Sequence, residues 1–244
     1  MIRPMRMKSA SIGSARAIPS LFLVSLPRSM STRLYHAIRY ALHLNEPTWT
    51  TDGEILNVDR FVFLLCRQND FGRKFTVEKA QPEAFSQMTH FLNQIVQPSG
   101  FMYKDVVQPF VMARWLQRHS FPTLIIRRPL ADIVYSMTAR QWYYPGKIFD
   151  DISDKHLAVV KGLASAASVL YALPGRSIDF DELIFDEEVV CRAIRSFYPK
   201  MKRRRVQYID TEFERVRDEI LVRRKTRRYQ TIAEMLPTDV GRDR

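Results

Sequence analysis

The chain has 244 residues, 46% hydrophobic and 26% charged, with 38 Lys and Arg against 26 Asp and Glu for a net charge of +12. Such a composition builds a core and excludes disordered, collagenous and coiled-coil classes, and no apolar run approaches the ~20 residues of a membrane-spanning helix. The charge is uneven: residues 1–45 carry seven basic side chains and no acid, 46–199 carry 17 basic and 18 acidic, and 200–228 carry twelve basic and five acidic. Basic ends around a neutral middle suit an anionic partner, whether nucleic acid, lipid or a highly phosphorylated small ligand. Cys66 and Cys191 stand far apart without a CxxC. Neither a disulfide nor a cysteine zinc site is expected, and both read as small buried hydrophobes in a reducing, cytoplasmic compartment.

Residues 1–20 hold Arg3, Arg6, Lys8, Arg16 and four serines, and read as a flexible basic leader with a slight transit-peptide character. A single domain is expected to fill 21–244. Leu21–Leu26 reads as a short buried strand, followed by a helix over Ser31–Leu44 with Leu34, Ile38 and Leu42 on one face. Helices are predicted over 57–68 and 82–97, opened by Asn57 and Pro82, and a second strand over Phe101–Val107. A helix over Pro109–His119 precedes a third strand at Thr123–Arg127 and a helix over Pro129–Trp142 with proline at its first position. A long amphipathic helix over Ser153–Leu173 stops at Pro174-Gly175. A fourth strand follows at Ser177–Phe180, then a helix over Asp186–Tyr198 and one basic helix over 211–236. Strands alternating with helices predict an α/β fold of three layers around a central parallel sheet.

In such a sheet, ligands sit beyond the carboxyl ends of the strands. The turn after the first strand, Ser25-Leu26-Pro27-Arg28-Ser29-Met30-Ser31-Thr32, therefore matters. It offers backbone N–H groups, hydroxyls and the positive end of a helix to an anion, and Arg28 adds a fork of charged donors. It is not a Walker A loop, having neither GxxxxGK[ST] nor a lysine. The third strand ends in Arg127-Arg128-Pro129, with Ser136 on the next helix. Two anion sites on neighbouring strands suit a doubly phosphorylated nucleotide.

Pro27-Arg28-Ser29-Met30-Ser31-Thr32 resembles the signature Pro-(Lys/Arg)-Ser-Gly-(Ser/Thr)-Thr of the sulfotransferases that use 3′-phosphoadenosine 5′-phosphosulfate (PAPS), with Met30 where that family has glycine. A second family signature, a strand ending in Arg with Ser eight residues later, is matched by Arg128 and Ser136, with Arg127 one residue off. Ile178-Asp179-Phe180-Asp181-Glu182-Leu183 is a weaker echo of a late strand followed by a Tyr-Glu-Asp-Leu-like segment. The resemblance spans about residues 20–200. It implies a P-loop NTPase-like sulfotransferase fold in which Pro27 to Thr32 bind the 5′-phosphosulfate and Arg127 or Arg128, with Ser136, the 3′-phosphate.

The resemblance further implies transfer of a sulfuryl group to a hydroxyl, or an amine, of a carbohydrate, lipid-linked or small-molecule acceptor. Arg28 would stabilise the leaving phosphate, and Lys104 in the second strand matches a lysine some members bring to the phosphosulfate. For the base, His36 lies one turn beyond Thr32, where some bacterial carbohydrate sulfotransferases carry a glutamate. Asp105 is the alternative, in the segment from which many members draw a histidine. The remaining histidines, His43, His90, His119 and His156, lack metal-ligand spacing, and the scheme needs no metal. Arg223 to Arg228 read either as a late basic loop closing the nucleotide site or as a solvated helix face. A nucleotide-dependent kinase is the rival enzyme, disfavoured by the missing Walker lysine. A basic nucleic-acid-binding protein is the rival from another class, though no motif of that kind is present.

Overall fold

The computed structural model describes residues 18–48, 50, 52–57, 74–149, 151–201 and 205–236. The helix expected at 57–68 falls almost wholly outside them, as do Cys66 and residues 1–17 of the basic leader. Ile18 to Ser20 run directly into the first strand, where the Pro19 carbonyl accepts a hydrogen bond from the Tyr198 hydroxyl at 2.9 Å.

Four strands form one parallel sheet: β1 (Leu21–Ser25), β2 (Met102–Asp105), β3 (Thr123–Arg127) and β4 (Arg176–Asp179), in the order β2-β1-β3-β4. Helix α1 (Ser31–Leu42) follows β1, and α2 (Pro82–Ile95) precedes β2. Then come α3 (Pro109–Leu116), α4 (Leu130–Thr138) and α5 (Lys155–Leu170), with the short α6 (Phe180–Leu183), α7 (Glu187–Phe197), α8 (Thr211–Arg224) and α9 (Arg227–Glu234) after β4. Because successive strand side chains face opposite ways, each strand feeds two cores. Phe22 and Val24 of β1 join α2 to α5 on one face. Leu21 and Leu23 join α1, α7 and α8 on the other. The three layers are as expected from the alternation.

Several boundaries shift for local reasons. Pro129 sits at the N-cap of α4, not at its first position, with φ −51° and ψ 128°. That helix ends at Thr138 rather than Trp142, because Gln141 adopts a left-handed φ of 58°. The basic terminal helix is two helices: the Thr226 hydroxyl caps α9 by accepting from the Tyr229 N–H, which breaks the run at Lys225. Asp154, Asp186 and Asp210 likewise cap α5, α7 and α8.

The sheet order fixes where a ligand fits. From β1 the chain crosses to β2 on one side, and from β3 to β4 on the other, so the carboxyl ends of β1 and β3 flank the switch point. One close approach shapes the rim of that crevice. A Cβ at Gly162 of α5 would stand 1.9 Å from the Pro145 carbonyl oxygen, in the turn Tyr144–Ile148. Gly162→Ala should therefore lower the unfolding free energy by about 1–3 kcal/mol through overpacking, despite a gain of ~1 kcal/mol in helix propensity. Chemical denaturation reads the sign directly.

Candidate anion-binding cleft

A cleft of about 840 Å³ opens at the switch point, walled by residues 27–33, His36, Glu54, Arg128, Ser136, Trp142 and Tyr144, with Phe213 and Arg223 of α8 closing one side. Helix α1, whose first turn lines the cleft, lacks a side-chain cap, as do α2, α3, α4 and α6. Its first N–H groups are thus open to a ligand.

The turn after β1 is strained. Arg28 and Met30 have φ of 66° and 57°, the left-handed region that favours glycine. The second position is where the resembling family carries glycine, so the backbone demand persists although the side chain differs. Met30 meets that demand while packing against the core beneath α1. Ser29 serves the turn itself, its hydroxyl donating to the Leu26 carbonyl at 2.8 Å. The Arg28 Nε donates to the Ser136 hydroxyl at 3.0 Å, and its guanidinium lies 5.6 Å from the Trp142 ring centre. Burial first, then the like charges of Arg140 and Arg223, hold its pKa below the ordinary arginine value. Among the described residues Arg28 has no carboxylate partner.

The two arginines ending β3 part company. Arg127 turns away, donating to the Tyr171 carbonyl at 3.0 Å and stacking on that ring. Arg128 faces the cleft, 6% exposed, its guanidinium 4.3 Å above the Phe180 ring centre and donating to the Arg28 carbonyl. Burial pushes its pKa down to about 10, an effect that Asp132 partly offsets. Arg28, Arg128 and Ser136 therefore meet, while Arg127 does not join them.

On the other side of the cleft, Lys104 is fully buried behind the wall. Its Nζ donates to the Thr32 hydroxyl at 2.6 Å and lies 3.2 Å from Glu54. Burial lowers its pKa, against the pull of Glu54. Lys104 thus touches the cleft only through these two neighbours. His36 lines the cleft, its Nε2 3.0 Å from Asp52 Oδ1. Asp105 lies 2% exposed and off the cleft wall, with Oδ2 accepting the Gln108 N–H at 2.9 Å and Oδ1 unpartnered.

Asp52 and Glu54 went unnoticed in the sequence, as no periodicity marks residues 46–56. They are placed by backbone pairing beside β2, where Lys104 N–H donates to the Gly53 carbonyl at 2.8 Å and Ile55 N–H to the Lys104 carbonyl at 2.9 Å. Asp132 was missed too, although it follows Arg128 by four residues, the spacing of a helical ion pair. The segment Arg223 to Arg228 divides between the two readings, with Lys225, Arg227 and Arg228 exposed. Arg223 lines the cleft, Arg224 pairs with Asp132 and Asp181 at 2.6 Å each, and Arg228 lies 5.0 Å from the Tyr135 ring centre. Among the described residues no group of three or more His, Cys, Asp or Glu could hold a metal, and no helix is long and apolar enough to cross a membrane.

No protein-family model matches the chain, nor does any curated protein. Among solved structures it is similar to a sulfotransferase domain from the curacin biosynthetic pathway, at 12% identity and a TM-score of 0.45 over 91% of this chain and 100% of that one. It is also similar to a candidate kinase from Chloroflexus aurantiacus, at 17% identity and a TM-score of 0.38 over 73% of this chain and 98% of that one.

The buried Asp105 makes stability depend on pH. Desolvation raises its pKa from 3.8 to about 7. The folded state then holds a proton that the unfolded state loses as pH climbs through that window, so stability falls between about pH 4 and 7 and levels off above. At ~1.4 kcal/mol per pKa unit the decline amounts to a few kcal/mol. Asp105→Asn should flatten this decline, read by urea denaturation at pH 4.5, 5.5, 6.5 and 7.5.

Proposed function

We propose that this chain is a sulfotransferase that moves the sulfuryl group of PAPS to a hydroxyl, or an amine, of a carbohydrate, lipid-linked or small-molecule acceptor. The observation that carries this reading is the meeting of Arg28 with Arg128 and Ser136 across one cleft. Two guanidiniums from the loops after β1 and β3, a hydroxyl and the uncapped N-terminus of α1 converge there. A nucleotide carrying two phosphates answers that concentration of positive charge and donors. The groups also satisfy one another: the Arg28–Ser136 bond is what an incoming phosphate would replace.

Bound in the cleft, the phosphosulfate supplies a sulfur whose bond to the 5′-phosphate oxygen is ready to break. The acceptor oxygen bonds to sulfur as that bond breaks, and the electron pair leaves on the phosphate. Arg28 and the free N–H groups of α1 are placed to hold the charge that develops. Lys104 acts at one remove, fixing the Thr32 hydroxyl. The acceptor proton goes to His36. Asp52, taking the Nε2 hydrogen, leaves Nδ1 as the accepting nitrogen. His36 is the better placed of the two candidate bases, since Asp105 lies off the cleft wall.

The nucleotide arm of this proposal is tested by thermal shift. The bisphosphate 3′-phosphoadenosine 5′-phosphate should raise the melting temperature, and 5′-AMP and ATP should do so much less. Equal shifts from the bisphosphate and 5′-AMP would remove the second phosphate site. In turnover assays with PAPS, Arg28→Ala should lower kcat more than nucleotide affinity, and Arg128→Ala the reverse. His36→Ala should slow turnover roughly a hundredfold with nucleotide binding intact. Asp105→Asn should keep most activity; if it alone is inactive, the base is not on α1.

A further inference from the structure

Asp132 is almost fully buried, and it faces two arginines from opposite directions. Four residues back, just before the N-cap of its helix, Arg128 Nε lies 3.6 Å from Oδ2. From α8, Arg224 reaches it with two donors, Nε to Oδ1 at 3.1 Å and Nη2 to Oδ2 at 2.6 Å. The same Arg224 Nη2 bonds Asp181, at the start of α6, at 2.6 Å. The loop after β3 and helix α8 thus each bring an arginine to one carboxylate of α4. Its immediate neighbour in sequence space is ordinary, but in space it stands directly behind the guanidinium that faces the cleft.

The charges explain the arrangement. Arg128 and Arg224 together bring two positive charges to the buried Asp132, and the exposed Asp181 gives Arg224 a second carboxylate. Arg28 and Arg223, nearer the opening, stay without buried counter-ions. A guanidinium at the end of a strand has several rotamers open to it, and each costs binding energy to select. Arg128 is instead held by three contacts: the Asp132 carboxylate, the Phe180 ring face and the Arg28 carbonyl.

We propose that Asp132 is a positioning residue for the nucleotide site, fixing Arg128 toward the distal phosphate and docking α8 through Arg224, so that the C-terminal helix pair is part of the binding site. The inference rests on the nucleotide reading above. Asp132 does not touch the ligand; it acts through Arg128, and Arg224 acts through Asp132.

A simple charge effect and a positioning effect differ in sign here. If only net charge mattered, removing the negative Asp132 would tighten binding of an anion, and removing the positive Arg224 would weaken it. Under the positioning role both substitutions weaken it. The test is titration calorimetry of the full chain with 3′-phosphoadenosine 5′-phosphate, comparing wild type, Asp132→Asn, Arg224→Ala and Arg224→Lys, with 5′-AMP as the ligand that lacks the distal phosphate. The expected result is a loss of roughly tenfold or more in bisphosphate affinity for both Asp132→Asn and Arg224→Ala, with little change for 5′-AMP and partial recovery in Arg224→Lys. The double variant should be no worse than the poorer single one. Arg224, being partly exposed, keeps the test open should Asp132→Asn not fold. Tighter bisphosphate binding by Asp132→Asn, or unchanged affinity in Arg224→Ala, overturns the inference while leaving the nucleotide reading standing. A wild-type chain that ignores the bisphosphate overturns both.

Discussion

A guanidinium buried at the end of a strand must find acceptors inside the protein, and Arg128 finds one in the carbonyl of Arg28. That bond crosses from the loop after β3 to the loop after β1, and much of the cleft follows from it. It is possible because the sheet order makes β1 and β3 neighbours whose onward connections diverge. It also holds a turn that would relax if left alone, since Arg28 and Met30 both sit in the left-handed region at a cost of ~1–2 kcal/mol each. The turn in turn aims the bare N-terminus of α1 into the opening and brings the Arg28 side chain to Ser136. Strain of this sort persists only where surrounding contacts over-determine it. Here the buried arginine supplies the constraint.

The fold was largely legible in the chain. Four short strand segments separated by helical periodicities are enough to give a parallel sheet in three layers, because a strand such as β1, apolar from Leu21 to Val24, has to be covered on both faces. The two cleft loops were legible for a related reason: they stand immediately after those strands. What escaped was everything set by distance in sequence. The pairing of Arg224 with Asp132 spans 92 residues, and no local pattern marks it. Glu54 and Asp52 reach the site because their backbone lies along the edge of β2, a non-periodic pairing. The split of the terminal helix turned on one hydroxyl, that of Thr226, acting as a cap inside an otherwise helical run. The choice between Arg127 and Arg128 needed coordinates, since the strand end twists and only one of the two can face the crevice.

Division of labour between the two sides of the cleft also follows from burial. On the side of α4 the charged groups that line the cleft are arginines, which stay ionised even when poorly solvated. On the side of β2 they are a lysine, a histidine and carboxylates, whose protonation the surroundings can set. Lys104 and Asp105, adjacent in one strand, point to opposite faces of the sheet and so meet different surroundings: the lysine finds Glu54 and Thr32, while one carboxylate oxygen of the aspartate finds nothing. The permanently charged arginines and the titratable groups thus stand on opposite sides of the opening.

The absence of a carboxylate beside Arg28 has a kinetic side. Burial, and then the nearby Arg140 and Arg223, depress its pKa, so the side of the cleft around Arg28 gathers positive charge. An approaching polyanion is drawn in before any contact is made, over a range of roughly 10 Å at ordinary ionic strength. Capture of the ligand should accordingly slow as salt rises, while its escape, governed by the buried contacts of Arg128, changes little. Under the proposed function, the half-buried Arg28 at the mouth would govern how quickly an anion arrives, and the buried Arg128 how long it stays.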